Sequence, residues 1–351
     1  MKFIRNAWYG AIWGDELGEG LVARRYLNEP VVLYRKADGT PVALADRCPH
    51  RFAPLSMGML KDDEIECLYH GLRFDCSGQC TDNPNGNGMI PKAAKIRSYP
   101  LAERWDMVWI WMGDPELADP GLIPDLHWMT DSENHTSTHG YIKLNANYLL
   151  VNDNLTDLSH ASFVHVKTLA PREMAREPFR ISEENGTVWA RLFYSGMETP
   201  AFFKEVPGMP DKVDRWLDMR CDVPGTMVTF DDAAPVGTPR EKGWRTANPN
   251  ITTPETDRTT HYFWGSTRSF CRDDEALTAN LRVVVALAFN EEDKPILEGQ
   301  QAIVGEDDLM NLAPVFLAND GGSVRARRLI EARIAQEEAA ASEPAEASVS
   351  R

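Results

Sequence analysis

Two short stretches of the 351-residue chain pair a cysteine with a histidine. Cys48-Pro-His50 and Cys67-Leu-Tyr-His70 are separated by sixteen residues. Each follows a strand-like run and reads as a loop. Four such side chains on two loops make a closed metal site. A Cys2His2 zinc finger would place both cysteines on one knuckle and both histidines on a helix. Here each knuckle carries one of each. That distribution suits a [2Fe–2S] cluster in which both cysteines bind one iron and both histidines the other. The remaining cysteines, Cys76, Cys80, Cys221 and Cys271, fall outside the pattern. They read as ordinary residues, the last two as small buried hydrophobes.

A second cluster lies in NDNLTDLSHASFVH, residues 152–165. It places Asp157, His160 and His165 within nine positions of a chain with only eight histidines. On a helix Asp157 and His160 share a face. His160 and His165 are five apart, at about 100° per residue, so both reach one ion only if the helix is distorted or ends between them. Two imidazoles and a carboxylate form the facial triad of O2-activating Fe(II) sites, which leaves positions open. Asp157 is either the third ligand or an acceptor that orients an imidazole through its other N–H.

The elements that must hold these groups divide in two. Residues 1–120 alternate short apolar runs (PVVLYR, VALA, IECLYHGLRF, MVWIWMG) with turn signals such as KADGT and NPNGNG, the pattern of a small β-sandwich. GDPELADPGLIPD, 113–125, reads as a linker. Residues 121–335 mix helix and strand. A helix is expected from near Asn147, then strands, then a long helix through DDEALTANLRVVVALAFNEED with acids in its first turn. Helices flanking an antiparallel sheet give an α+β domain. Residues 336–351, poor in large apolar groups, read as a disordered tail.

Composition excludes several classes of partner. The net charge of −16 disfavours nucleic acid and anionic membranes, both polyanionic. No apolar run approaches the roughly 18 residues of a membrane span, and the N-terminal stretch lacks a signal-peptide pattern. A cytoplasmic protein is expected. No GxGxxG motif suggests a nucleotide site of its own.

CPHRFAPLSMG and CLYHGLRFDCSGQC resemble the two cluster-binding loops of Rieske proteins, and NDNLTDLSHASFVH resembles the iron-binding helix of Rieske non-haem iron oxygenases. VWIWMGDPELADP and TPETDRTTHYFWGSTRSF are similar to the group of vanillate and dicamba O-demethylases and toluenesulfonate methyl-monooxygenases. The resemblance covers nearly the whole chain. It implies an N-terminal Rieske β-sandwich, a C-terminal helix-grip domain and a head-to-tail homotrimer. It also implies that Cys48, His50, Cys67 and His70 hold the cluster, and that Fe(II) is bound by His160, His165 and a carboxylate in AFNEEDKPILEG. Asp293 matches that ligand best among Glu291, Glu292 and Asp293, with Glu292 next, and Pro295 is consistent with a helix interruption there. By the same resemblance Asp157 bridges the iron to the cluster of the neighbouring subunit, and Asn154 lies around the iron.

The activity so implied is that of a terminal oxygenase. NAD(P)H would supply electrons only through a separate ferredoxin or flavin reductase. O2 would then hydroxylate the methyl group of a methoxylated aromatic acid, and the hemiacetal would collapse to a phenol and formaldehyde. Hydroxylation of an aryl methyl or ring carbon is the alternative. Pocket positions carry over to Thr229, Asn250 and Val284, where the dicamba-type pocket has Asn, His and Trp. Val284 cannot donate a hydrogen bond, so a dicamba-like grip on a carboxylate is not expected. Arg220 and Arg268 are each either an anion partner or a structural charge. Two other classes make different demands: an electron carrier needs no facial triad, and a zinc scaffold is colourless.

Overall fold

The computed structural model describes residues 2–165, 179–204 and 206–342. The first hundred or so residues form ten short strands in three antiparallel sheets. β1 (Trp8–Trp13) pairs β10 (Met107–Trp111), which pairs β9 (Leu101–Arg104). β2 (Val22–Tyr26), β3 (Glu29–Arg35) and β4 (Pro41–Ala45) make the second sheet. β5 (Met59–Lys61), β6 (Glu64–Glu66), β7 (Arg73–Phe74) and β8 (Cys80–Asp82) make the third. Linker residues 113–125 settle into two 3-10 turns, each capped by an aspartate (Asp114, Asp119) ahead of a proline, and a third turn follows at His127–Met129.

The second half is built on one seven-stranded antiparallel sheet. Its strands are β11 (Thr136–Leu144), β12 (Arg180–Glu184), β13 (Thr187–Glu198), β14 (Lys212–Asp222), β15 (Thr226–Pro235), β16 (Thr246–Thr256) and β17 (Thr259–Arg268). Their order across the sheet is β11-β17-β16-β15-β14-β13-β12. The two halves join through this sheet. The Thr253 hydroxyl donates to the Gly10 carbonyl at 2.7 Å, and the Trp13 indole donates to the Gly140 carbonyl at 3.0 Å. Gly140 leaves room for a ring: a Cβ there would meet Trp264 at 2.3 Å. His261 adds a third tie, between the Tyr141 hydroxyl and the Arg25 carbonyl.

Helices cover one face of the sheet. α1 (Tyr148–Thr156) starts where expected, because the Asn147 side chain accepts from the Leu149 amide at 2.8 Å and caps it. α2 (Ala161–Val164) and α3 (Ala201–Lys204) are single turns. α4 (Glu275–Leu287), capped by Asp274, runs into a π-helical segment, Ala288–Asp293, and then into α5 (Lys294–Val304). The helix interruption expected at Pro295 is therefore a widened turn. The π register immediately precedes the proline, which stands in the first turn of α5.

α6 (Gly321–Ser342) locks the assembly. Arg327 donates to both carboxylate oxygens of Asp153 on α1, and Glu337 accepts from the backbone amides of Arg5 and Asn6. The tail expected from residue 336 is helical as far as Ser342. AQEEAAAS is rich in strong helix formers and extends a helix already anchored. The remainder of that tail, 343–351, lies outside the described residues. No helix among the described residues is long and apolar enough to cross a membrane.

Candidate metal centres and substrate cavity

The two cysteine–histidine loops share one backbone design. The Cys48 amide donates to the Ala53 carbonyl and the Phe52 amide to the Cys48 carbonyl. Nineteen positions on, the Cys67 amide donates to Leu72 and the Gly71 amide to Cys67. Both turns need a positive φ at the fifth residue, counting the cysteine as the first: 59° at Phe52 and 75° at Gly71. Gly71 meets this without strain. Phe52 holds a left-handed conformation that non-glycine residues rarely adopt. Its ring is 64% exposed, under the Arg47 guanidinium.

On these knuckles the four side chains sort by kind. Cys48 and Cys67 are buried in a small core with Val32, Leu44, Leu55, Ile65 and Phe74. Burial pushes the Cys48 thiol up to about 11, and the neighbouring Cys67 adds to the rise. His50 is exposed and His70 half-buried, with ring centroids 4.4 Å apart. Sulfur therefore meets sulfur inside and imidazole meets imidazole at the surface. This is the pairing that a cluster with one thiolate-bound and one imidazole-bound iron requires.

The second centre forms where the chain leaves α1. The helix ends at Asp157, whose φ and ψ are −103° and 88°. Asp157 caps a 3-10 turn, Leu158–His160, by accepting from the Ser159 amide at 3.0 Å and hydroxyl at 2.6 Å. Asp157 and His160 are thus not on one helix face. The Nδ1 of His160 meets the Asp157 backbone carbonyl, not its carboxylate. The carboxylate is captured two residues on by Ser159, as short polar side chains do at turns. α2 then ends at His165. This broken path lets two histidines five apart converge.

Both converge on Asp293, at the end of the π segment. His160 Nε2 lies 3.6 Å from Asp293 Oδ1, and His165 Nε2 lies 3.1 Å from Oδ2. One ligand atom from each of the three falls within 4.8 Å of the others. Asn154 donates to Asp293 Oδ1 at 3.2 Å. Glu292, the alternative to Asp293, sits on the far side of His165 with Oε2 2.7 Å from Nδ1. Burial lowers the His165 pKa, but the Asp293 and Glu292 carboxylates outweigh it and hold His165 above the ordinary value. Asp293 Oδ2 is buried with no hydrogen-bond donor. His165 Nε2 faces that oxygen at 3.1 Å. Two imidazoles and one carboxylate converging in a buried site form a donor set that fits Fe(II).

A cavity of about 140 Å³ opens beside this cluster. That is the size of the ~150 Å³ apolar cavity known to take up benzene. Leu155, Leu158, Leu217, Met219 and Phe289 supply its apolar wall. Thr229, Asn250 and Val284 all line it. The Tyr262 hydroxyl donates to Asn250 Oδ1 at 2.7 Å, and Asn250 Nδ2 donates to the Asn248 carbonyl at 2.9 Å. Arg215 also lines it and was missed from the sequence. It is bound by Asp231 through two 2.7 Å hydrogen bonds. The period of two along β14 brings Arg215, Leu217 and Met219 to one face, which is the signal that was available. Arg220 and Arg268 do not reach the cavity. Arg220 pairs with Asp222 and the Asp125 carbonyl. Arg268 is spent on Phe270, Cys271, Asp274 and Thr278.

Comparison with known proteins agrees with this geometry. Residues 7–100 match the Rieske [2Fe-2S] domain, and residues 144–336 match the vanillate O-demethylase oxygenase C-terminal domain. The chain belongs to the Rieske oxygenases of the vanillate O-demethylase family. Within that family it is 41% identical to the oxygenase component of dicamba O-demethylase from Stenotrophomonas maltophilia, over 97% of this chain and 100% of that one. It is 39% identical to the iron–sulfur subunit of the toluene-4-sulfonate monooxygenase system of Comamonas testosteroni, over 94% of this chain and 96% of the relative. The crystal structure of dicamba monooxygenase bound to 3,6-dichlorosalicylic acid superimposes with a TM-score of 0.90 at 39% identity, covering 97% of this chain and 100% of that chain. These relatives are oxygenase components, and the Rieske oxygenase family to which the chain belongs is one of oxidoreductases.

Proposed function

We propose that this protein is the terminal oxygenase of a multi-component monooxygenase that O-demethylates a methoxylated aromatic acid. The observation that carries the reading is an apolar, ring-sized cavity with His160, His165 and Asp293 in its wall. Cys48, Cys67, His50 and His70 would hold the [2Fe–2S] cluster, and His160, His165 and Asp293 the Fe(II). When bound, the two groups supply one-electron storage and O2 activation. The residues do the rest. Asn154 fixes one oxygen of Asp293, so the carboxylate offers the other. The Asp157 carbonyl turns the His160 ring so that Nε2 points at Asp293. Leu155, Leu217, Met219 and Phe289 exclude water and hold the ring, while Thr229, Asn248 and Asn250 form its polar wall.

Electrons enter from a separate reductase that consumes NAD(P)H. They reach the iron from the cluster of a neighbouring subunit in a homotrimer, with Asp157 as the bridge. Two features support this. The imidazole end of the cluster site faces outward, ringed by exposed apolar side chains: Phe52 at 64%, Leu68 at 62% and Tyr69 at 62%. Such a patch marks a docking surface. Asp157, for its part, is only half-buried, directly behind His160. The test is a panel of methoxybenzoates with matched methylbenzoates, driven by a surrogate reductase. O-demethylation releases formaldehyde in step with O2 uptake. A hydroxymethyl product without formaldehyde would reassign the activity to aryl-methyl hydroxylation.

A further inference from the structure

We propose that Glu292 is a positioning residue of the mononuclear site, holding His165 in the tautomer and orientation that present Nε2 to the metal. The proposal rests on the iron-site reading above and assigns a role that reading does not contain. Glu292 and Asp293 are adjacent, and neighbours on an α-helix diverge by about 100°. Two successive carboxylates would not ordinarily reach the same ring. Here they do: Glu292 Oε2 lies 2.7 Å from His165 Nδ1, and Asp293 Oδ2 lies 3.1 Å from Nε2.

The π segment Ala288–Asp293 makes this possible. Single π turns are rare in helices and recur at functional sites. This one ends at the two residues that grip opposite nitrogens of a single imidazole. His165 is 3% exposed and Glu292 22%, so the outer carboxylate screens the Nδ1 side from water.

His160 is held differently. Its Nδ1 meets a backbone carbonyl, a neutral acceptor that no side-chain substitution removes. A carboxylate behind an imidazole fixes the tautomer and raises the basicity of the distal nitrogen. The two histidines are therefore unequal donors, and Glu292 makes His165 the stronger one.

The test is Co(II) binding by equilibrium dialysis to enzyme with its cluster intact, comparing wild type, Glu292→Gln, Glu292→Ala and Asp293→Ala. Glu292→Ala should weaken Co(II) binding by about 10- to 100-fold. Glu292→Gln, whose amide oxygen still accepts from Nδ1–H, should recover part of that loss. In NMR of the Co(II) form, the shifted exchangeable Nδ1–H of His165 should persist with Glu or Gln at 292 and exchange away in the alanine variant. A general loss of packing would not single out that proton. Wild-type affinity with the proton retained in Glu292→Ala overturns the proposal. Should that variant not fold, Glu292→Leu, which fills the space without an acceptor, carries the same comparison. Retention of Co(II) by Asp293→Ala would instead overturn the site reading itself.

Discussion

At the cysteine–histidine loops the imidazoles face outward, above cysteines that are 2% exposed. At the mononuclear site the order reverses: His165 and Asp293 are 3% and 4% exposed at the side chain, and only His160, at 19%, approaches the surface. The first centre stands on two copies of one tight turn, with its candidate ligands inside 23 residues of sequence. The second is gathered from a broken helix and a π turn more than 120 residues apart. A site that passes electrons needs an exposed edge and a rigid local frame. A site that activates O2 beside a substrate needs burial, open positions and support from distant elements.

If the two centres are joined through Asp157, the joint can be cut without harming either. Asp157→Asn keeps the backbone carbonyl that holds His160, so both metals should stay. Electron transfer from reduced cluster to iron should nevertheless slow, because the carboxylate charge between the two centres is gone. Stopped-flow oxidation of the cluster measures this, and a wild-type rate would remove Asp157 from the path.

The distant support of the second centre can be tested next. Arg327, 5% exposed, pairs with Asp153 one residue before Asn154. Removing one partner of a buried pair strands the other, so Arg327→Met should cost about 3–5 kcal/mol in denaturant unfolding. The mononuclear metal should be lost at lower denaturant than the cluster. Simultaneous loss would deny the two centres separate supports.

The smallest effect concerns the joint between the halves. Burial of His261 between Tyr141 and the Arg25 carbonyl pulls its pKa down to about 4. Between pH 6.5 and 4 the unfolded chain binds a proton that the folded chain refuses, so stability falls as pH drops through that window. The loss approaches ~3 kcal/mol at its lower end. His261→Gln should flatten this acid limb, and an unchanged limb would place the acid sensitivity elsewhere.

How much of this was legible follows the same contrast. The cluster loops were readable because their ligands are local and their turns carry proline, glycine and paired Cys–His spacing. The strand-rich first half and the α+β second half were likewise visible in alternation and turn signals. At the second centre the spacing of His160 and His165 announced a broken helix, and the structure has one. Asp293 could not be reached from spacing; a family resemblance pointed to it. The π turn left no mark, since AFNEED fits an ordinary helix as well. The backbone role of Asp157 was hidden because Ser159 competes for its carboxylate. Phe52 gave no hint of its positive φ, which is set by the turn it closes.

The account stands on two separable iron centres in one chain, and iron content tests that most directly. Wild-type protein should carry about three irons per chain, two in the cluster and one mononuclear. His160→Ala should carry about two, with an unchanged cluster absorption spectrum and no turnover. Undiminished iron and turnover in His160→Ala would contradict the account.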